Sequence, residues 1–317
     1  AFKLPAALLA GNSIVIKPAP TTPLTTLRFG ELIANVLPAG LVNIIADKND
    51  LGDKITTHKG ISKISFTGST ATGSRVLASA ASTLKRVTLE LGGNDAGIVM
   101  DDVDVEAVAP QIFDGAFGNN GQICIAMKRV YAHESIYDKL VDQLAELAKE
   151  AAVGNGLEQG TKLGPLQNKM QFEKVKDYIE EGRADGTIVA GGEVPDGKGY
   201  FIPPTIVKDI DDESRLVKEE QFGPVLPVIK YDDIDDVIER ANDSDYGLGG
   251  SVWSSDTERA YEVAKKVDSG TIWVNKHADV QPHIPFGGIK TSGIGAELGE
   301  EGLAEFTARK VINVAKA

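Results

Sequence analysis

The only cysteine of this 317-residue chain, Cys124, lies in the segment GNNGQICIA over residues 118–126. A free cysteine is most often a small, buried, apolar side chain. Here Gly118, Asn119, Asn120, Gly121 and Gln122 are poor helix and strand formers and suit a tight loop, which presents a thiol at a bend. A presented thiol needs partners, and four other segments carry side chains of the right chemistry.

In LELGGN (89–94), Glu90 ends an apolar stretch, and the two glycines after it allow a sharp turn. A carboxylate in apolar surroundings has a raised pKa and serves as a general base near neutrality; a salt-bridged structural glutamate is the alternative. FTGSTATG (66–73) runs from a strand end into a helix and sets Gly68, Ser69 and the first-turn amides where an anion would be favoured. It is not the GxGxxG fingerprint, and a serine cap on an ordinary helix is the other reading. Lys17 in IVIKPAP (14–20) is either a ribose or phosphate contact or a solvated strand end. In KEEQFGPV (218–225), Glu220 and Phe222 fall on one side of an extended segment, suited to a sugar and a ring or to a plain turn.

These residues need a frame. Short apolar strands are expected at SIVIK, LVNIIA, KISFTG and RVTLELGG, separated by helices, one of which repeats Leu24, Leu27, Leu32, Ile33 and Val36 at helical spacing. This alternation predicts an α/β protein whose first 91 residues form a doubly wound, parallel-sheet nucleotide-binding domain, with ligands at the carboxyl ends of the strands. The pattern restarts with AGIVM, a helix near 104–117, the Cys124 loop, the strand RVYAH and an amphipathic helix near 135–151, and it runs on to TIWVN. A second α/β domain, catalytic, is expected over 92–290, and a terminal helix with an oligomerisation strand over 291–317.

Composition narrows the function classes. The 33 basic and 46 acidic residues give a net charge of -13, which argues against nucleic acid or an anionic membrane as partner. The opening apolar run is broken by Pro5 and by Gly11-Asn12-Ser13, so it reads as helix, turn and strand and not as a secretory signal. No stretch reaches the roughly 18 apolar residues of a membrane span. One cysteine forms no internal disulfide, which fits a cytoplasmic location. His58, His133, His277 and His283 show no ligand spacing, and no metal is expected.

Taken together, IVIKPAP, FTGSTATG, LELGGN, GQICIA, EEQFGPV and PFGGIKTSG resemble the aldehyde dehydrogenase superfamily in order and approximate spacing, with Glu90 and Cys124 34 residues apart. The resemblance covers essentially the whole chain. It implies that Cys124 attacks an aldehyde, that a thioester forms after hydride loss to NAD or NADP, and that Glu90 activates the water that hydrolyses it. It also implies that Lys17 contacts the adenosine ribose, that Gly68 and Ser69 adjoin the pyrophosphate, and that Glu220 and Phe222 position the nicotinamide ribose and ring. Pro20, Gly73, Leu91 and Gln171 match further cofactor contacts.

Two departures qualify the match. Pro20 stands where many NAD-preferring members carry a glutamate, so a 2′-phosphate is not repelled; NAD is expected, with NADP open. The family's oxyanion asparagine falls before Ala1, so a fragment with weak or no turnover of its own is expected, since losing one such donor costs about 10² to 10³ in rate. Ile123 and Ile125 beside the thiol suggest an aliphatic or aromatic aldehyde. The terminal strand suggests a homo-oligomer. Rival readings are a coenzyme A-acylating dehydrogenase, which Glu90 argues against, and a catalytically silent scaffold or assembly subunit.

Overall fold

A computed structural model describes residues 2–316. The chain forms two compact units; one holds residues up to Glu90 together with 280–287 and the segment from 294 onward, the other holds 91–279 and 288–293.

In the first unit the elements run α1 (Lys3–Leu9), β1 (Ile14–Ile16), α2 (Leu24–Ile33), β2 (Val42–Ile44), α3 (Gly52–Thr57), β3 (Lys63–Thr67), α4 (Thr70–Ala81) and β4 (Arg86–Glu90). The strands pair in parallel, β1 with β2 and β3 with β4, as the strand-helix alternation requires. The expected single sheet covered on both faces is instead two separate ladders, because no strand among the described residues bridges them. Part of the apolar stripe read along α2 and just beyond it is correspondingly uncovered: Leu24 is 77%, Leu32 60% and Val36 76% exposed, while Leu27 and Ile33 are half-buried. Residues 280–287 and 294 onward complete this unit. Phe286 and Glu297 exchange backbone hydrogen bonds of 2.7 Å, and Glu305 accepts from Lys63 and Thr88 at 2.8 and 2.9 Å.

The closing segment departs from expectation. After the helix Gly299–Ala304, residues 307–316 form no strand, and Val311, Ile312 and Val314 are 80%, 76% and 79% exposed. A strand needs a second strand to take its hydrogen bonds, and none among the described residues pairs with this one.

The second unit is built on β5 (Asp95–Val99), α5 (Val105–Phe117), β6 (Met127–His133), α6 (Glu134–Glu150), α7 (Lys169–Asp185), β7 (Thr187–Ala190), β8 (Thr205–Lys208), α8 (Arg215–Lys218), β9 (Val225–Tyr231), α9 (Ile234–Asn242), β10 (Tyr246–Gly247), β11 (Gly249–Trp253), α10 (Thr257–Ala264), β12 (Thr271–Val274) and β13 (Ile289–Lys290). Seven strands form one sheet in the order β12-β11-β5-β6-β9-β8-β7, parallel throughout except for β7 at the edge. Side chains alternate across it: Ile98, Tyr131 and Ile229 join the core under α7 to α10, while Val99, Val130 and Val228 join the core under α5 and α6. Burial on both faces explains why these strands read as continuous apolar runs.

Candidate active site

Asp104 caps α5 through the Glu106 amide, and the helix ends at Phe117. The next residues cannot continue it, since Asn119, Asn120 and Gly121 take φ of 51°, 58° and 71°. Three left-handed residues in succession demand Asn and Gly. A Cβ on Gly121 would lie 2.4 Å from the Gly223 carbonyl oxygen, so glycine is required there twice over. The chain then makes a turn over 123–126, closed by the Ala126 amide donating to the Ile123 carbonyl at 3.0 Å, and Cys124 occupies its second position, half-buried.

The turn is held by side chains that the sequence reading did not single out. Lys128, 3% exposed at the start of β6, donates to the carbonyls of Ile123, Cys124 and Ala126 at 2.9, 2.8 and 3.3 Å. His277 bonds the Ile125 carbonyl through Nε2 at 2.8 Å and Ser251 through Nδ1 at 3.1 Å. Burial drives the His277 pKa down to about 4, so the ring is neutral and carries its proton on Nε2. Asp95, fully buried, accepts from the Gly249 amide at 3.1 Å, and burial pushes its pKa up to about 7 against the pull of Lys128. Burial also pushes the Cys124 thiol up; Lys128 opposes this, while Asp95 and Glu220 add to it. A lysine starting an apolar strand four residues after the cysteine was the available signal, and its role depended on how the turn folds back.

Glu220 accepts from the Gly93 amide at 3.1 Å, and its Oε1 lies 3.8 Å from the Lys128 ammonium. Bare Gly92 permits this, since a Cβ there would sit 2.5 Å from Glu220 Oε2. The extended run expected through Phe222 is interrupted: Phe222 has φ of 50°. Gln171, capped into α7 by Asn168, fixes that bend by donating to the Gln221 and Phe222 carbonyls at 2.8 and 2.9 Å. Leu91 is buried and donates its amide to the Ser292 carbonyl at 2.8 Å. A cavity of about 330 Å³ opens beside Ile123, Ile125, Ala126 and Ala278. The charges on its rim are paired away, Asp114 with Lys162 at 3.2 Å and Lys276 with Asp279 at 2.6 Å.

In the first unit Glu90 ends β4 at 4% exposure, and neither carboxylate oxygen has a hydrogen-bond partner among the described residues. Burial, then repulsion from the Glu297 carboxylate, against the Lys3 ammonium, raise its pKa to about 8. Glu297, 5% exposed, is itself paired to Lys3 and accepts from Ser65 at 3.4 Å. The salt-bridged alternative for Glu90 therefore does not hold; the salt bridge belongs to Glu297. Lys3 and Glu297 lie 294 residues apart in sequence, beyond any local pattern.

Ser69 caps α4, its hydroxyl accepting from the Thr72 amide at 3.3 Å, and Gly73 is buried in the first turn. Gly68 and Ser69 are exposed, so the positive end of a 12-residue helix faces outward. Gly68 donates its amide to the Glu90 carbonyl at 3.0 Å, tying the two segments together. Lys17 pairs with Asp47 at 3.2 Å. Burial would push Asp47 up, but the Leu51 amide and Lys17 outweigh it and hold the carboxyl below the usual range. Pro20 lies in the turn after Lys17. Within the first unit a cation and a helix N-terminus are of the kind that suits phosphate; within the second the Glu220 carboxylate is of the kind that suits a pair of ribose hydroxyls.

A lone, half-buried thiol, a buried unpartnered carboxyl and these donors agree with what the chain is similar to. The aldehyde dehydrogenase family profile matches residues 1–312. A mitochondrial aldehyde dehydrogenase of Leishmania tarentolae is 45% identical over 99% of this chain and 64% of its own length, and aldehyde dehydrogenase 1A1 of Bos taurus is 43% identical over 99% and 63%. The crystal structure of a Mycobacterium tuberculosis aldehyde dehydrogenase complexed with NAD+ superposes with a TM-score of 0.94 at 40% identity, covering 97% of this chain and 64% of that one. The chain thus spans about 64% of the length of such relatives. With a profile matched almost end to end on a superposable α/β fold, the chain belongs to the aldehyde dehydrogenase family.

Proposed function

We propose that the protein oxidises an aldehyde to a carboxylic acid with NAD or NADP, using Cys124 as nucleophile and Glu90 as general base. The observation that carries this reading most is the buried, unpartnered Glu90 carboxyl with a pKa near 8, which has no structural work to do. The Cys124 thiolate adds to the carbonyl carbon, forming a C–S bond and a thiohemiacetal. A bound nicotinamide would supply the hydride acceptor this chemistry needs, and loss of hydride from the adduct leaves a thioester on Cys124. Glu90 takes a proton from water as the oxygen adds to the thioester carbon; the C–S bond breaks, Cys124 leaves as thiolate and the acid departs.

Lys17, Pro20, Gly68, Ser69 and Gly73 would hold the adenosine end and the pyrophosphate, and Leu91, Gln171, Glu220 and Phe222 the nicotinamide ribose and ring. Support for NAD comes from the M. tuberculosis relative, which is complexed with NAD+; a strong preference for NADP in initial rates would remove it. Ile123 and Ile125, the neighbours of Cys124 in sequence, line the cavity and favour an uncharged aliphatic or aromatic aldehyde. The exposed Val311, Ile312 and Val314 support strand pairing with a second copy, and the charge of -13 argues against nucleic acid. No helix among the described residues is long and apolar enough to cross a membrane. The single cysteine supports a cytoplasmic location, although one relative is mitochondrial. Product analysis tests the chemistry: free acid formed in step with reduced cofactor supports it. A thioester formed only with coenzyme A transfers the assignment to the acylating class, and absence of any product leaves the scaffold reading.

A further inference from the structure

The carbonyls of four consecutive residues, 123 to 126, all accept from buried side chains: three from Lys128 and that of Ile125 from His277. The turn is largely closed to water, Ile125 and Ala126 being 7% and 2% exposed, so its carbonyls need partners inside the protein. Here one ammonium spends its three protons on the turn that carries the sole thiol, one of them at 2.8 Å on the carbonyl of Cys124 itself. Burying a lysine to 3% exposure is costly, and carbonyls alone would be met at less cost by a neutral donor. The charge is what a neutral donor would not bring.

Resting on the reading of Cys124 as nucleophile, we propose that Lys128 is a positioning residue for that nucleophile: its ammonium clamps the 123–126 turn from behind and favours the thiolate. The charged groups whose fields act on the thiol are Lys128 from β6, Asp95 from β5 and Glu220 from the segment after α8. Lys128 is the one cation among them. It works against the desolvation and the two carboxyls, which together still hold the thiol above its ordinary value, and Glu220, 3.8 Å from the same ammonium, shares the charge. His277 is neutral and holds the turn by hydrogen bonding alone.

Because the chain has one cysteine, thiol ionisation is read directly from the pH dependence of iodoacetamide alkylation, followed by mass, with no need for turnover. Lys128→Met removes the charge and the donors; Lys128→Gln keeps donors without charge; Lys128→Arg keeps both. Both neutral variants are expected to move the alkylation midpoint up by about one pH unit or more, a roughly tenfold lower thiolate fraction below the midpoint, and Arg to return it to within about half a unit. Folded neutral variants that alkylate at the parent's midpoint overturn the proposal. So does failure of both to fold while Arg folds, since Lys128 is then needed for structure alone. Failure of the nucleophile reading shows differently: Cys124→Ser still oxidises the aldehyde, whatever the midpoint does.

Discussion

Replacing Glu90 by Gln should stabilise the protein while abolishing release of its product, two effects with opposite signs from one buried carboxyl. In the folded state the carboxyl keeps its proton up to about pH 8, whereas unfolded it loses it near 4.5. Between those values the unfolded state binds fewer protons than the folded one, so stability falls as pH rises, and above about 8 both forms are ionised and the loss stays constant. At about 1.4 kcal/mol per pH unit the gap from 4.5 to about 8 amounts to on the order of 5 kcal/mol, an upper value because a charged carboxyl draws in water and relaxes its surroundings. Gln is neutral throughout and of the same shape. Thermal melting of both proteins across pH 4 to 10 should therefore give coincident curves at the acid end, a gap in favour of Glu90→Gln that widens with pH, and a plateau above about pH 8. A gap independent of pH, or one that closes towards alkali, refutes the assignment of a raised pKa. In single-turnover assays the parent's deacylation should rise with pH through the same region, since the base acts when deprotonated, and the variant should show no such rise.

The same geometry sets further outcomes. Gly121→Ala, strained by φ of 71° and blocked 2.4 Å away by the Gly223 carbonyl, should lower stability by about 2 to 4 kcal/mol in denaturant unfolding and slow alkylation of Cys124. Gln171→Ala releases the Gln221 and Phe222 carbonyls, and cofactor binding measured by fluorescence should weaken roughly tenfold as the Phe222 bend loosens. Ile125→Asp puts an unpaired charge on the cavity wall and should cut kcat/KM for apolar aldehydes by at least about tenfold in a substrate panel, with a smaller loss for cationic ones.

The members proposed for the candidate site were legible as residue types at punctuated positions, because strand ends and tight turns carry Gly, Asn and Pro that show in any sequence. Asn119-Asn120-Gly121 is an example, where the left-handed backbone comes from the residues themselves. Three things were not legible. Lys3 and Glu297 meet across 294 residues, and only the fold brings them together. Lys128 reads as one cation among 33 until the turn closes over it. Alternation in 307–317 suggested a strand, yet a pattern specifies a strand only where a partner edge exists.

Acylation of the one thiol is the step on which the proposed chemistry depends most directly. Incubating the protein with an apolar aldehyde and NAD and mapping the digest by mass spectrometry should show the acyl group on the Cys124 peptide, accumulating to a larger fraction in Glu90→Gln than in the parent. Free acid formed with no acyl group ever found on Cys124, or equal adduct levels in both proteins, would contradict it.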